Sequence, residues 1–489
     1  MNHRNITQVT FYKFTILLIT CKSTVMSGKG TNRRDFIRIA ATGAAALGLG
    51  LKGVSGRASS YPGLNTPIRL AGQKTVMDLT CEPLEKVHIG VIGLGMRGME
   101  AVSRLLNVEG VIITAVCDVR PEKVAEAQKI VTDLGLPEPI GFSAGEEDWM
   151  KLCEREDIDL VYSCTPWYLH TPNAVYAMKH GKHAAVEVPG ATTLEECWEL
   201  VDTAEQTQRH CMMLENCCYD FFELATLNMA RNGVFGEIMH AECAYIHDLR
   251  WLKFDKANGY VDMWRLKYSM NHNGNLYPTH GLGPVAQIMG INRGDRMDYL
   301  TSTSTNQVGM SLYAKNKFGA GSVEFLQPYE LGDMNTTVVK TINGKTIMIQ
   351  HDTTSPRPYS RIHLVSGTGG IASKWPVEQI ALEPKAHDWL PEEDLKKLLV
   401  EYEHPLAKKV GEMAREVGGH GGMDFIMDWR LVHCLRNGLP LDQDVYDAAS
   451  WSSIVELSEI SVRNASKMVE IPDFTRGIWA ETKPLGIVE

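Results

Sequence analysis

Val87-His88-Ile89-Gly90-Val91-Ile92-Gly93-Leu94-Gly95-Met96-Arg97-Gly98 is the stretch that decides the fold. Val87 to Ile92 is an apolar run of the length expected for a buried parallel strand. Gly93, Gly95 and Gly98 follow with GxGxxG spacing, and Met99 to Leu106 reads as a helix. A second strand, Val111 to Val116, leads to Asp118. Strand, glycine turn, helix, strand and carboxylate, in that order, form a dinucleotide-binding fingerprint. Each glycine meets a different demand. Gly93 permits a tight turn, Gly95 lets the backbone approach a pyrophosphate, and Gly98 lets helix and strand pack closely. The helix N-terminus offers free N–H groups to the phosphate. Asp118 is the acceptor for a ribose 2′-hydroxyl and selects NAD over NADP, although Arg120 lies only two residues on.

The alternation continues downstream. Ile158 to Thr165 is a strand that runs into Pro166-Trp167-Tyr168-Leu169-His170. Thr171 is the N-cap and Pro172 the first position of a helix closed by Gly181. His183 to Val188 is a strand, Thr193 caps the helix Leu194 to Gln208, and Cys211 to Leu214 is a further strand. The expectation is an α/β Rossmann domain over residues 86–220. Beyond it the period changes. Glu237 to His247, Val308 to Lys315, Ser322 to Leu326 and Thr336 to Ile342 read as strands, and Asn343-Gly344 turns the chain into Thr346 to His351. Strands without helices between them imply an open, mostly antiparallel sheet. The helix Gly281 to Met289 falls inside this region, and helices near Pro405 to Val417 and Val445 to Val469 close it. Residues 221–489 are therefore expected to form a substrate-binding α+β domain with C-terminal helices.

Asn32-Arg33-Arg34-Asp35-Phe36-Ile37-Arg38 precedes the small apolar run Ile39 to Leu51. This has the form of a twin-arginine export signal. The run is shorter than the roughly 20 apolar residues of a membrane span. Residues 1–59 are read as leader, with Met26 as the true start, and 60–85 as linker. The protein is expected to be exported to the periplasm or cell envelope, with no stable membrane span after processing. The remaining chain of about 430 residues suffices for two domains. The net charge of −10 argues against nucleic acid and anionic membrane partners. Eleven cysteines include no CxxC pair and no Cys/His metal spacing, so they read as buried thiols and no metal is expected. The partners left are a small-molecule or glycan substrate and, left open, a second copy of the chain.

The glycine motif, Cys117-Asp118, Thr165-Pro166 and Glu187-Val188-Pro189 together resemble the Gfo/Idh/MocA oxidoreductase superfamily. Typical members read Glu-Lys-Pro at the last motif, and the lysine assists proton transfer. Val188 replaces it here, and an apolar side chain relays no proton. The altered motif resembles that of glycoside hydrolase family 109, the NAD-dependent α-N-acetylgalactosaminidases. The segments carrying this likeness are Thr165 to His170, Glu187-Val188-Pro189, Leu214-Glu215-Asn216-Cys217-Cys218-Tyr219-Asp220 and Asn275-Leu276-Tyr277-Pro278-Thr279-His280-Gly281. Gly190 stands where members usually carry Ala. The resemblance implies that Met96, Arg97, Asp118, Trp167 to His170, Glu187, Val188 and Asn216 line a tightly bound, recycled NAD. It implies that Tyr245, Arg265, Tyr277, His280 and Tyr359 line the sugar, with His280 and Tyr277 catalytic.

The implied chemistry is oxidation at C3, loss of the C2 proton, departure of the aglycone from C1, addition of water and reduction back at C3. The anomeric configuration is retained and the cofactor ends oxidised. An exported sugar or polyol oxidoreductase is the alternative reading. A histidine in a Tyr-Pro-Thr-His-Gly turn also serves as a cap or core residue, but an ordinary pKa near 6.5 suits proton transfer. Arg265 and Tyr245 read equally as a solvated charge and a sheet aromatic, and Tyr359 as a loop anchor. Tyr219, Trp251 and Trp264 read as core.

Overall fold

The computed structural model describes residues 64–487. The twin-arginine stretch lies outside the described residues. Among those described, no helix is long and apolar enough to cross a membrane.

Six strands build the first sheet: β1 (Val87–Ile92), β2 (Val111–Cys117), β3 (Ile140–Phe142), β4 (Leu160–Ser163), β5 (His183–Val186) and β6 (Cys211–Met213). All pairs are parallel, in the order β3-β2-β1-β4-β5-β6. The order reverses beside β1, so ligands are expected at the carboxyl ends of β1 and β4. Val87, Ile89 and Val91 are fully buried, and each contributes about 1.5–3 kcal/mol.

The second sheet has eight strands: β7 (Ile238–Ile246), β8 (Met297–Ser304), β9 (Asn335–Thr341), β10 (Thr346–Asp352), β11 (Leu364–Gly367), β12 (Gly370–Ser373), β13 (Gln379–Leu382) and β14 (Val469–Glu470). Their order is β13-β12-β11-β7-β10-β9-β8-β14. Only β7 and β10 are parallel; the other neighbours are antiparallel. The helix Thr279–Met289 lies so close to β7 that a Cβ on Gly281 would stand 2.4 Å from the Ala244 nitrogen. The tail returns to the first domain. Helix Met423–Asn437 packs on β1 and on helix Met96–Leu105, and Val445–Ser452 packs on β6 and Leu194–Thr207.

Several local expectations are corrected. Val308 to Lys315 is not a strand but the start of a helix, Gly309–Phe318. The Asp333 carboxylate accepts from the Val308 and Gly309 N–H groups at 2.8 and 2.9 Å, supplying a cap from another part of the chain. Met310 and Ala314, four apart, form its buried stripe. Ser322 to Leu326 is likewise a helical turn, with Ser322 as N-cap. The helix His170–Lys179 starts before Thr171, whose hydroxyl donates to the Gly190 carbonyl at 3.1 Å instead of capping. The long tail helix is two, Val445–Ser452 and Ile454–Arg463, followed by β14. Trp251 is 53% exposed, so it is not a core residue.

Six of the described histidines are buried, and burial lowers all of them, His170 among them and the other five by a large margin. Burial first pushes His183 and His351 down to about 3, helped by His210 and Arg209 beside the former and by Lys253 and Arg265 beside the latter. Burial pushes His210, His363 and His404 down to about 4. Their unfolded value is near 6.5, so the unfolded chain binds more protons below that pH. The stability they contribute is complete above pH 6.5 and is lost as pH falls towards 4. By pH 5 each of these five has cost about 2 kcal/mol relative to neutral pH. Asp444, which burial raises to about 7, pulls the other way as a single group. The urea midpoint should therefore fall steadily from pH 6.5 to pH 5. A flat profile over that window would show that these rings are not buried and neutral.

Candidate functional site

The site begins at the carboxyl end of β1. Gly93 has φ +86, and a Cβ there would stand 2.8 Å from the Cys164 carbonyl. A Cβ on Gly98 would stand 1.8 Å from the Gly93 oxygen. Gly95 differs: its φ is −73, and a Cβ there would meet nothing within 4 Å. That open cradle, at the N-terminus of helix Met96–Leu105, fits a pyrophosphate. Met96 is half exposed beside it. Asp118 accepts from the Leu94 N–H at 2.7 Å and from the Arg120 N–H and Nε at 3.0 and 2.9 Å. Burial pushes its carboxyl up, but Arg120 and the N–H groups outweigh this and hold it below the usual range. It remains the ionised acceptor that a ribose needs.

Arg97, Glu187 and Asn216 come together, at a residue the sequence reading missed. Arg97 Nε donates to Glu187 Oε1 at 2.9 Å, and its Nη1 to Asp424 Oδ2 at 2.8 Å. Asn216 Nδ2 donates to the other Asp424 oxygen. Val188 is buried one residue past Glu187. His170 is fully buried, with ring nitrogens 2.7 Å from the Pro189 carbonyl and 2.8 Å from that of Thr165. It ties together the loops after β4 and β5. Trp167 is a wall shared with the second domain: it lies edge-on to Trp264 at 4.9 Å and stacks on Tyr277 at 5.8 Å.

Beyond that wall, Tyr245, Tyr277, His280 and Tyr359 form one aromatic cluster. Tyr245 lies 4.5 Å from Tyr277, 5.4 Å from His280 and 6.1 Å from Tyr359, between ring centroids. Arg265 caps it, with Cζ 4.6 Å from the Tyr260 ring centre, 4.9 Å from Tyr277 and 5.0 Å from Trp167. Burial pushes the Tyr277 hydroxyl well up and raises that of Tyr245, more than Arg265 lowers either. Both are hydrogen-bond donors near neutrality, not bases. Tyr219 is buried apart from this cluster, its hydroxyl 3.5 Å from Asp442.

His280 Nδ1 lies 2.8 Å from Glu215 Oε1, and Glu215 is fully buried at the end of β6. Burial pushes the Glu215 carboxyl up, but His280, Thr279 and the Cys217 N–H outweigh it and hold it low. An ionised carboxylate only accepts, so Nδ1 carries the proton it donates. Nε2 has no hydrogen-bond partner among the described residues. Cys217 Sγ completes a group of donor atoms lying within 4.8 Å of one another. Burial pushes that thiol well up. Glu215 stood inside a quoted motif, and its place directly after a strand was the signal that it faces the site. Asp424 and its neighbour His420 carried another signal, four glycines flanking one histidine.

The model of the glycosyl hydrolase 109 C-terminal domain matches residues 219–481. That of the NAD-binding Rossmann fold of the GFO_IDH_MocA oxidoreductase family matches residues 87–215. The chain is 55% identical over 414 residues to an alpha-N-acetylgalactosaminidase of Bacteroides fragilis, covering 84% of this chain and 97% of that one. The chain belongs to glycosyl hydrolase family 109. This family 109 chain is also 48% identical over 466 residues to a family 109 protein of Shewanella amazonensis, covering 94% of the former and 100% of the latter. Among solved structures, a levoglucosan dehydrogenase complexed with NADH and L-sorbose matches 80% of the family 109 chain and 100% of its own. Its TM-score is 0.60 at 17% identity, a likeness of fold.

Proposed function

We propose that the protein removes terminal α-linked N-acetylgalactosamine with retention, by oxidation, elimination, addition and reduction. The observation that carries this reading is the 55% identity, over 97% of its length, to a relative named for that activity. The site geometry supports it. Gly93, Gly95, Gly98 and Asp118 would hold NAD, with Trp167, Glu187 and Val188 at its reactive end. NAD supplies reversible oxidation at the sugar C3, which acidifies the hydrogen at C2. His280 removes that proton through Nε2, because Glu215 holds Nδ1 and stabilises the imidazolium that forms. Tyr245 and Tyr277 offer hydroxyls to the sugar oxygens, and Arg265 places a fixed positive charge against their rings. Val188 leaves no lysine beside the reacting carbon to sustain net dehydrogenation. A redox-neutral cycle also suits the export that the twin-arginine stretch implies, since it consumes no NAD.

The purified protein should release p-nitrophenol from p-nitrophenyl α-N-acetylgalactosaminide with no added NAD and no accumulation of NADH. Steady growth of NADH absorbance in step with product would favour the oxidoreductase alternative instead. Turnover in heavy water should place deuterium at C2 of the released sugar. Direct displacement by paired carboxylates leaves that position untouched. Full protium at C2, together with no isotope effect from C2-deuterated substrate, would refute the elimination.

A further inference from the structure

Two cations, Lys253 from helix Arg250–Lys253 and Arg265 from helix Trp264–Asn271, line one small cavity together with His351. Trp167, Tyr245 and Tyr277 of the aromatic cluster form part of the same wall. The cavity measures about 10 Å³, room for a single water-sized occupant. Lys253 is 3% exposed, and its Nζ donates to the Ser269 hydroxyl at 2.9 Å and to the Thr353 hydroxyl at 2.8 Å. An ammonium carries three N–H groups, so one remains. His351 is 2% exposed, and its Nδ1 has no hydrogen-bond partner among the described residues. Arg265 is partly exposed, but its Nε is buried and equally unpartnered. Buried polar groups are normally satisfied, and here three around one cavity are not.

The charge is unbalanced as well. The carboxylates that act on Lys253 are engaged elsewhere. Asp248 pairs with Arg250 at 2.7 Å. Asp352 accepts from the Thr354 and Ser355 N–H groups at 3.0 Å and faces Arg357 at 3.8 Å. Burial first, then Arg265, pushes Lys253 down to about 7, although Asp352 and Asp248 raise it. A water molecule would satisfy the N–H groups and leave both cations without a countercharge, whereas an anion answers both needs. A carboxylate or phosphate is too large for the space. We propose that this cavity is a binding site for one monovalent anion of halide size, held by Lys253 Nζ, Arg265 Nε and an N–H of His351, with chloride its ordinary occupant. Arg265 lies against the rings of Trp167, Tyr260 and Tyr277. The anion therefore fixes the guanidinium that caps the sugar site, and it acts by positioning, with no bond made or broken. The site goes beyond the hydrolase reading and stands on the cavity alone.

Potassium chloride against potassium gluconate at matched ionic strength is the comparison that tests it. Chloride should raise the melting temperature of the wild-type protein by about 2–4 °C, and the rise should saturate. It should also lower KM for p-nitrophenyl α-N-acetylgalactosaminide roughly fivefold, with kcat little changed. Lys253→Met keeps the length of the side chain and removes its charge, so both chloride responses should vanish in that variant. Crystals of the wild-type protein soaked in bromide should show an anomalous peak in the cavity at Lys253 and Arg265, a readout that needs neither the variant nor turnover. No bromide peak there, or a chloride response that persists in Lys253→Met, would overturn the site in favour of a buried water. A melting shift and a bromide peak in a protein that cleaves no glycoside would remove the hydrolase reading and leave the anion site standing.

Discussion

Replacing His280 by asparagine should lower the hydrolytic rate by about 10²- to 10⁴-fold, the scale of a positioned acid or base. NAD should remain bound. Alanine is the poorer test. Glu215 is fully buried and its carboxylate depends on His280. Removing the imidazole leaves that charge buried without its partner, a loss of about 3–5 kcal/mol. The asparagine amide can still donate to Glu215 while Nε2 is gone. Melting temperature and cofactor content near wild type, with activity reduced at least a hundredfold, would match the proton-transfer role. Near-normal activity would make His280 a packing residue that shapes the helix start and nothing more. Glu215→Gln should lie between these limits, since the ring keeps a partner but loses the charge that stabilises the imidazolium.

Gly95→Val should weaken cofactor binding without disturbing the fold. The backbone at Gly95 has φ −73, which any residue adopts, and a Cβ there meets no protein atom within 4 Å. The added methyl groups would stand where a pyrophosphate must pass. Overpacking of this kind costs about 1–3 kcal/mol, so NAD affinity should fall roughly 5- to 150-fold. Denatured variant should release correspondingly less NAD, and activity should recover in part with added NAD. Full cofactor content would place the pyrophosphate somewhere other than this turn. Gly98→Val is the contrasting case. Its Cβ would collide with the Gly93 oxygen, and soluble protein should be lost.

The legible parts of this chain were the local ones. The turn from Gly93 to Gly98, the strand pairs flanking it and the Asn343-Gly344 hairpin each carry their own instructions within a dozen residues. The helix Gly309–Phe318 did not, because its cap is Asp333. Read without that partner, Val308 to Lys315 alternates well enough to pass for a strand. β8 and the strands β11 to β13 at one end of the sheet were also missed, being short or polar and dependent on neighbours for their pairing. At the site, Tyr245, Tyr277, His280, Tyr359 and Arg265 do converge, from segments that only a family likeness could group. Asp424 and His420 escaped because their partner Arg97 lies more than three hundred residues earlier. His170 was assigned to the cofactor, yet both its ring nitrogens face backbone carbonyls. No residue pattern distinguishes a histidine that ties two loops from one that faces a ligand.

A ribosome delivers the helix Met423–Asn437 more than three hundred residues after the helix Met96–Leu105. Arg104, buried in the first helix of the dinucleotide fold, finds its carboxylates on that tail: Asp428 at 3.0 Å and Asp424 at 3.6 Å. Until those residues emerge, a cation made early in synthesis has no countercharge, and one flank of the nucleotide-binding sheet lacks its cover. The nucleotide-binding domain is thus completed by residues made long after its own strands. Chains truncated before residue 423 contain every glycine of the fingerprint and still lack the means to finish the pocket it announces.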